Sequence, residues 1–204
     1  MVCYVFTDGG VIGNGKSHAL GGVGVWFGDD DPRNQSHGFA NTPSFKVTNQ
    51  TMELLAATLA LEACPVEGQV MVYTDSMYTI NCVTKWIAGW RRNGWNTATG
   101  GPVLNRPLIE RLHALVLEKR ASFVHVPSHR PTPPLDSPGY AMWRGNFEAD
   151  RLATKGINSM RSRSVEGRGR DAMPTPGKMS SKKLPKQQHP LTHWFKVSKF
   201  RVVD

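Results

Sequence analysis

Three β-like runs in quick succession, then a helix, a strand, further helices, a strand and a final helix: this order constrains the chain more than any other feature. Residues 3–7 and 22–27 read as strands, the second with Val23, Val25 and Phe27 alternating, and residues 36–40 as a third. Residues 52–63 hold no Gly or Pro and are rich in Leu, Ala and Glu, which predicts a helix stopped by Pro65. Residues 69–74 then predict a buried strand, Ser76 caps a helical stretch through Trp86, residues 106–119 make another helix and 122–126 a last strand. A final helix is expected over 147–155. The order gives an α/β fold, a mixed sheet with helices on its faces.

The pattern stops near Ile157. Residues 1–157 carry 14 Lys and Arg against 13 Asp and Glu, whereas residues 158–204 carry 11 against 3, so nearly all of the net charge of +9 lies in the tail. We therefore expect a folded domain over 1–157 and a basic tail over 158–204. The tail should be disordered when free, because it cannot bury enough apolar surface to offset its chain entropy. Its charge suits a nucleic-acid partner. A chain of 204 residues, 39% of them hydrophobic, has enough for one core plus such an appendage. No apolar run approaches the ~18 residues needed to span a bilayer, and residues 2–6 reach Asp8 too soon for a signal peptide. We expect a soluble, intracellular protein with no membrane partner. Cys3, Cys64 and Cys82 are scattered, odd in number and lack a C-x-x-C spacing, which argues against a disulfide framework and a zinc site and leaves them as buried small hydrophobes.

Acidic residues mark the strand ends. Asp8 ends the first strand beside Gly9 and Gly10, and Asp75 ends the run 70–74. Ligands of open α/β sheets gather at such ends, where a side chain points into a crevice. Two carboxylates held together there repel each other unless a divalent cation joins them. Either Asp alone reads as a turn or cap residue; the ensemble argues otherwise.

The segments FTDGG (6–10), TNQTMELLAATLALE (48–62), YTDSMYTINCVTKWIAGWRRNGWNTATGGPVLN (73–105), HVPSH (125–129) and GNFEADRLA (145–153) resemble the catalytic domain of eukaryotic type 1 ribonuclease H, in the right order and over most of residues 1–157. The resemblance implies the ribonuclease H fold, a five-stranded mixed sheet flanked by helices. It also implies an endonuclease that cuts the RNA strand of RNA/DNA hybrids with the carboxylates Asp8, Glu53, Asp75 and Asp150. These would hold two Mg²⁺ ions, with Mn²⁺ as the second candidate, for in-line displacement on a phosphodiester that leaves 5′-phosphate and 3′-hydroxyl ends. His129 matches the family's mobile histidine, which assists proton transfer or product release. Ser128 stands where the family has glycine, and residues 130–144 form a longer loop than usual, so either can reposition that histidine.

Substrate contacts carry over in the same way. Asn14, Asn49 and Gln50 match positions that hydrogen-bond the RNA strand. Lys46, Thr48 and Asn105 match a pocket for a DNA phosphate. Tyr78, Trp86 and Trp90 match an apolar channel for deoxyribose, while Thr51 replaces a common arginine. Taken without the family, Trp86, Trp90 and Trp95 among Lys85, Arg91 and Arg92 read equally well as a backbone-binding cluster or as core tryptophans on a solvated helix, and the resemblance to the family's basic protrusion favours the first. A DNA-cutting relative of the same fold would share the carboxylates, but Asn49 and Gln50 beside Thr48 argue against it. An inactive hybrid-binding or clamp-binding adaptor would not keep all four.

With Asp8 so near its start, the sequence is expected to lack the N-terminal hybrid-binding module of many eukaryotic relatives, which leaves processivity to the tail. There Gln188, Leu191, Trp194 and Phe195 resemble the PIP box that binds a PCNA-type sliding clamp. One 3₁₀ turn would gather Leu191, Trp194 and Phe195 into an apolar plug. We expect a monomer at the site of DNA replication, in nucleus or cytoplasm, removing primers or clearing hybrids.

Overall fold

The computed structural model describes residues 2–65, 68–128 and 130–168. Its elements are β1 (Val2–Ile12), β2 (Leu20–Trp26), β3 (Gln35–Ala40), α1 (Asn49–Ala63), β4 (Gln69–Thr74), α2 (Met77–Asn81), a π-helical turn (Cys82–Trp86), α3 (Ile87–Arg92), α4 (Arg106–Glu118), β5 (Ala121–His125) and α5 (Tyr140–Arg168). Among the described residues the strands form one five-stranded sheet in the order β3-β2-β1-β4-β5. Tight connections make β1, β2 and β3 antiparallel, with Asp8 opposite Gly24 and Val23 opposite His37. β1, β4 and β5 are parallel, Thr7 beside Thr74 and Val72 beside Phe123, and parallel strands need crossovers, which the intervening helices supply.

Each of the five expected strands is present. β1 runs longer than expected because Gly9 through Ile12 keep pairing with β2 instead of ending the strand. α1 starts three residues earlier than expected. Thr48 caps it reciprocally: its hydroxyl accepts from the Thr51 amide at 3.2 Å, and the Thr51 hydroxyl accepts from the Thr48 amide at 2.8 Å. One core joins Val5, Val25 and Val72 of the sheet to Leu54, Ala57 and Leu61 of α1 and to Ile109 and Leu112 of α4. Each buried Leu or Ile there contributes roughly 1.5–3 kcal/mol.

α5 crosses the other face of the sheet at very short range. A Cβ at Gly22 or Gly24 would overlap the carbonyl oxygens of Ala153 and Ala149, so these two positions of β2 admit no side chain. Gly145 sits on the ring of Phe6 and Gly156 on the His37 carbonyl. Those helical glycines are why composition confines the last helix to 147–155: glycine costs about 1 kcal/mol in a helix interior, and here close packing offsets it. The helix instead starts at Tyr140, takes in the second part of the expected long loop, and passes Ile157 to reach Arg168, with Met160 packed on Gly38. Among the described residues, no helix is long and apolar enough to cross a membrane.

Candidate active site

Sheet register brings the carboxylates together. Thr7 and Thr74 are parallel partners, so Asp8 on β1 and Asp75, one residue past the end of β4, are neighbours on adjacent strands. Glu53 arrives from the fifth position of α1. Gly9 lets it come that close: any Cβ there would overlap the Glu53 nitrogen and the Met52 carbonyl carbon. One carboxylate oxygen each from Asp8, Glu53 and Asp75 lie within 4.8 Å of one another. Asp150, exposed on α5, stands outside that triad but acts on Asp8 by its charge.

Burial and mutual repulsion oppose the charged forms. Asp8 is 8% exposed; burial first, then the charges of Asp75 and Asp150, push it up to about 7 against a backbone hydrogen bond from Gly9. Glu53 is raised well above the ordinary carboxylate range by burial, then by Asp8 and Asp75. Among the described residues its buried Oε2 has no hydrogen-bond partner. Clustered hard oxygens, raised affinity for protons and an orphaned buried oxygen together fit a divalent cation.

Asn49 and Gln50 are the first two residues of α1, exposed, and three to four positions before Glu53, so they share its helix face. Lys46 is exposed just before the Thr48 cap, and its carbonyl accepts from the Thr51 hydroxyl at 2.9 Å. Thr51, which the resemblance places where an arginine is common, thus acts as a local clasp. Asn14 is exposed in the β1–β2 turn.

Asn105 begins α4 at φ 61°, in the left-handed region, without capping its own helix. Its side-chain amide instead donates to the Tyr78 hydroxyl at 3.5 Å. Burial pushes that phenol up to about 12, so it stays protonated. Tyr78 leads an aromatic row: to Trp86 at 6.0 Å between ring centres, Trp86 to Trp90 at 5.6 Å, Trp90 to Trp95 at 6.0 Å. Exposure falls along it, from 40% at Trp86 to 7% at Trp95, over whose ring Arg106 lies at 4.8 Å. The two readings of the tryptophans therefore divide: Trp95 belongs to the core, Trp86 to the surface, and Trp90 bridges them. The π-helical turn that ends in Trp86 carries no sequence signal we can name.

His129, Gln188, Leu191, Trp194 and Phe195 lie outside the described residues. Gly9 is the functional residue that sequence reasoning passed over; a glycine directly after a site carboxylate was the available signal.

The comparisons with known proteins agree with this geometry. A family model described as RNase H matches residues 2–158. Ribonuclease H1 of Rattus norvegicus is 36% identical over 154 residues, covering 74% of this chain and 49% of that protein. The chain thus spans about half the length of that mammalian relative. Ribonuclease H of Alcanivorax borkumensis is 34% identical over 157 residues, 77% of this chain and 92% of its own. The foamy viral protease-reverse transcriptase, solved in complex with an RNA/DNA hybrid, superposes with a TM-score of 0.57 at 23% identity, over 76% of this chain and 20% of that one, a likeness of fold.

Proposed function

The chain belongs to the ribonuclease H family, and on that premise we propose that it is an endonuclease hydrolysing the RNA strand of RNA/DNA hybrids. The observation that carries this reading is the meeting of Asp8, Glu53 and Asp75 within 4.8 Å, with Asp150 in electrostatic reach of Asp8. Two bound Mg²⁺ ions, or Mn²⁺ in their place, would supply stabilisation of the attacking water and of the leaving 3′ oxygen. Asp8, which feels both Asp75 and Asp150, would touch both ions; Glu53 and Asp75 would hold one and Asp150 the other. Products would carry 5′-phosphate and 3′-hydroxyl ends, and His129 would assist proton transfer or product release.

Strand choice would rest on opposite chemistries at two sides of the carboxylates. Asn14, Asn49 and Gln50 offer donors and acceptors for 2′-hydroxyls and base edges in the minor groove. Tyr78, Trp86 and Trp90 offer apolar surface on which a deoxyribose is welcome and a 2′-hydroxyl is not. Lys46, Thr48 and Asn105 would hold a DNA phosphate; the Asn105 amide, unused as a helix cap, supports that role. A labelled hybrid, a DNA duplex and an RNA duplex incubated with Mg²⁺ or with chelator test the reading. Only the RNA strand of the hybrid should be cut, and only with metal; equal cutting of the DNA duplex would overturn it.

The setting we propose is replication, in primer removal or hybrid clearance, with Gln188, Leu191, Trp194 and Phe195 binding a sliding clamp. A peptide over residues 186–201 should bind the clamp at micromolar affinity in calorimetry and lose binding on Leu191→Ala with Phe195→Ala. A wild-type peptide that does not bind would remove the clamp as partner.

A further inference from the structure

Cys3 and Cys64 bring their sulfurs to 3.6 Å at the end of β1 remote from the carboxylates. Cys3 is the second residue of β1 and partly exposed; Cys64 is the C-terminal cap of α1 and 4% exposed, and both thiols are free. The reading of all three cysteines as inert buried hydrophobes misses this pair, because 61 positions separate the two in sequence.

A fixed cation accompanies them. Nη1 of Arg33 donates to the Cys3 sulfur at 3.4 Å. That guanidinium is held on its other side: Nε and Nη2 donate to the two oxygens of Asp31 at 2.9 and 2.6 Å, and its carbon lies 4.1 Å above the Phe27 ring. The ammonium of Lys119, in a residue 5% exposed, donates to the Cys64 carbonyl at 3.0 Å and so pins the second cysteine's backbone.

We propose that Cys3 and Cys64 form a thiol modification site, which closes to an intramolecular disulfide by exchange with a small-molecule disulfide of the glutathione class. An S–S bond is about 2.05 Å long, so the sulfurs need approach by only about 1.5 Å. The two thiols divide the work. Burial, and then the neighbouring Cys3, push Cys64 up to about 12, so it waits as a thiol. Cys3 is the one a reagent reaches, and the Arg33 N–H is the contact its sulfur carries as it attacks.

In the first step the Cys3 sulfur bonds to one sulfur of the reagent, whose own S–S bond breaks; the leaving thiolate takes up the Cys3 proton. In the second, the Cys64 sulfur bonds to Cys3 Sγ in the mixed disulfide, and its proton passes to the second departing thiolate. Two protein thiols are oxidised, and one reagent disulfide is reduced to two thiols. The bond ties the strand that carries Asp8 to the helix that carries Glu53 and closes the long loop between them. Closing such a loop restricts the unfolded chain and should raise the melting temperature by roughly 5–10 °C.

The test uses the full chain, equilibrated in oxidised glutathione, acid-quenched, alkylated in denaturant so that buried thiols are reached, and read by intact mass and peptide mapping. The expected product has lost two hydrogens, carries a 3–64 crosslink, keeps Cys82 alkylatable and melts higher; dithiothreitol reverses all of this. Cys64→Ser should stop at a glutathione adduct on Cys3, and Cys3→Ser should leave Cys64 unmodified. Three alkylatable thiols after oxidation, a crosslink through Cys82, or a Cys64→Ser variant without the adduct would each overturn the proposal. Neither variant alters the carboxylate triad, so the result stands apart from the fate of the proposed nuclease activity.

Discussion

Gly9 lies against Glu53 so closely that a Cβ on the glycine would overlap the glutamate's backbone nitrogen. Helix α1 can deliver its carboxylate to Asp8 only because this position of β1 is bare. Gly9→Ala must therefore push α1 away from β1 and open the triad. A shift of about 1 Å at a reacting centre costs on the order of 100-fold in rate, and overpacking costs about 1–3 kcal/mol of stability. Hybrid cleavage and urea unfolding measure the two effects. Gly10→Ala is the control: its Cβ would meet only Ile157 Cδ1, at 3.4 Å, and both properties should stay near wild type.

Asp8→Asn and Asp75→Asn keep shape and remove charge. Each should nearly abolish cleavage while hybrid binding stays detectable by electrophoretic mobility, because the apolar row and the α1 face are untouched. Near-normal turnover by either variant at saturating Mg²⁺ would remove it from the site. His129→Ala should slow turnover and not stop it.

The raised pKa values of Asp8 and Glu53 make a prediction about the metal-free protein. Asp8 titrates near 7 in the fold against 3.8 for an ordinary aspartate. Between those values the folded state keeps a proton that the unfolded chain has released, so stability is full below about pH 4 and falls as pH rises through 7. The loss from this one group is at most about 4 kcal/mol, and Glu53 shifts in the same direction. Urea titrations in chelator at pH 5 and pH 8 should show the drop. Asp8→Asn should flatten it, and a divalent cation at pH 8 should restore stability to the wild type and not to the variant. A metal-free protein more stable at pH 8 than at pH 5 would contradict the assigned burial of Asp8.

How much of this was legible in the sequence depends on the range of the interaction concerned. The five strands, the Ser76 cap and the position of Asp75 follow from local periodicity and turn chemistry, which a linear reading captures. The extents of β1 and α5 do not. Gly9 and Gly10 read as a strand end and Gly145 and Gly156 as helix limits, yet Gly9, Gly145 and Gly156 are bare because another element presses on each, and that partner is distant in sequence. The tryptophans show the same limit: spacing alone left core and surface balanced, and the burial of Trp95 among Val83, Ile87 and Ile109, residues distant from it in the sequence or on other elements, decided for the core. The carboxylates were found through the family's blocks, since no local rule links Glu53 to Asp8.

Among the aromatics, Trp86 is the cleaner probe of substrate contact than Trp90, because 40% of it is exposed and Trp90 also packs on Trp95. Trp86→Ala should weaken hybrid affinity by roughly 1–3 kcal/mol with little change in stability. Trp95→Ala should do the reverse and cost about 3–5 kcal/mol of folding free energy. Trp90→Ala should lie between, losing some of each. Fluorescence anisotropy with labelled hybrid and thermal unfolding separate the effects, and unchanged affinity in Trp86→Ala would take the row out of the binding surface.

The basic tail makes a prediction whose cut point the structure changes. Truncation after Ile157, where the composition shifts, would sever α5 and remove Met160 from Gly38. The informative cut is after Arg168, which leaves the helix whole and removes Arg170, Lys178, Lys182, Lys183, Lys186, Lys196, Lys199 and Arg201. If those residues neutralise phosphates, each contact contributes about 0.9 to the slope of log affinity against log salt. The shortened protein should keep its cleavage rate at saturating hybrid, bind more weakly at low salt, and show a slope shallower by several units. The two proteins should converge at high salt, where release of counterions no longer favours binding. Parallel salt dependences for the full and shortened chains would show that the tail's charge meets something other than the hybrid's backbone.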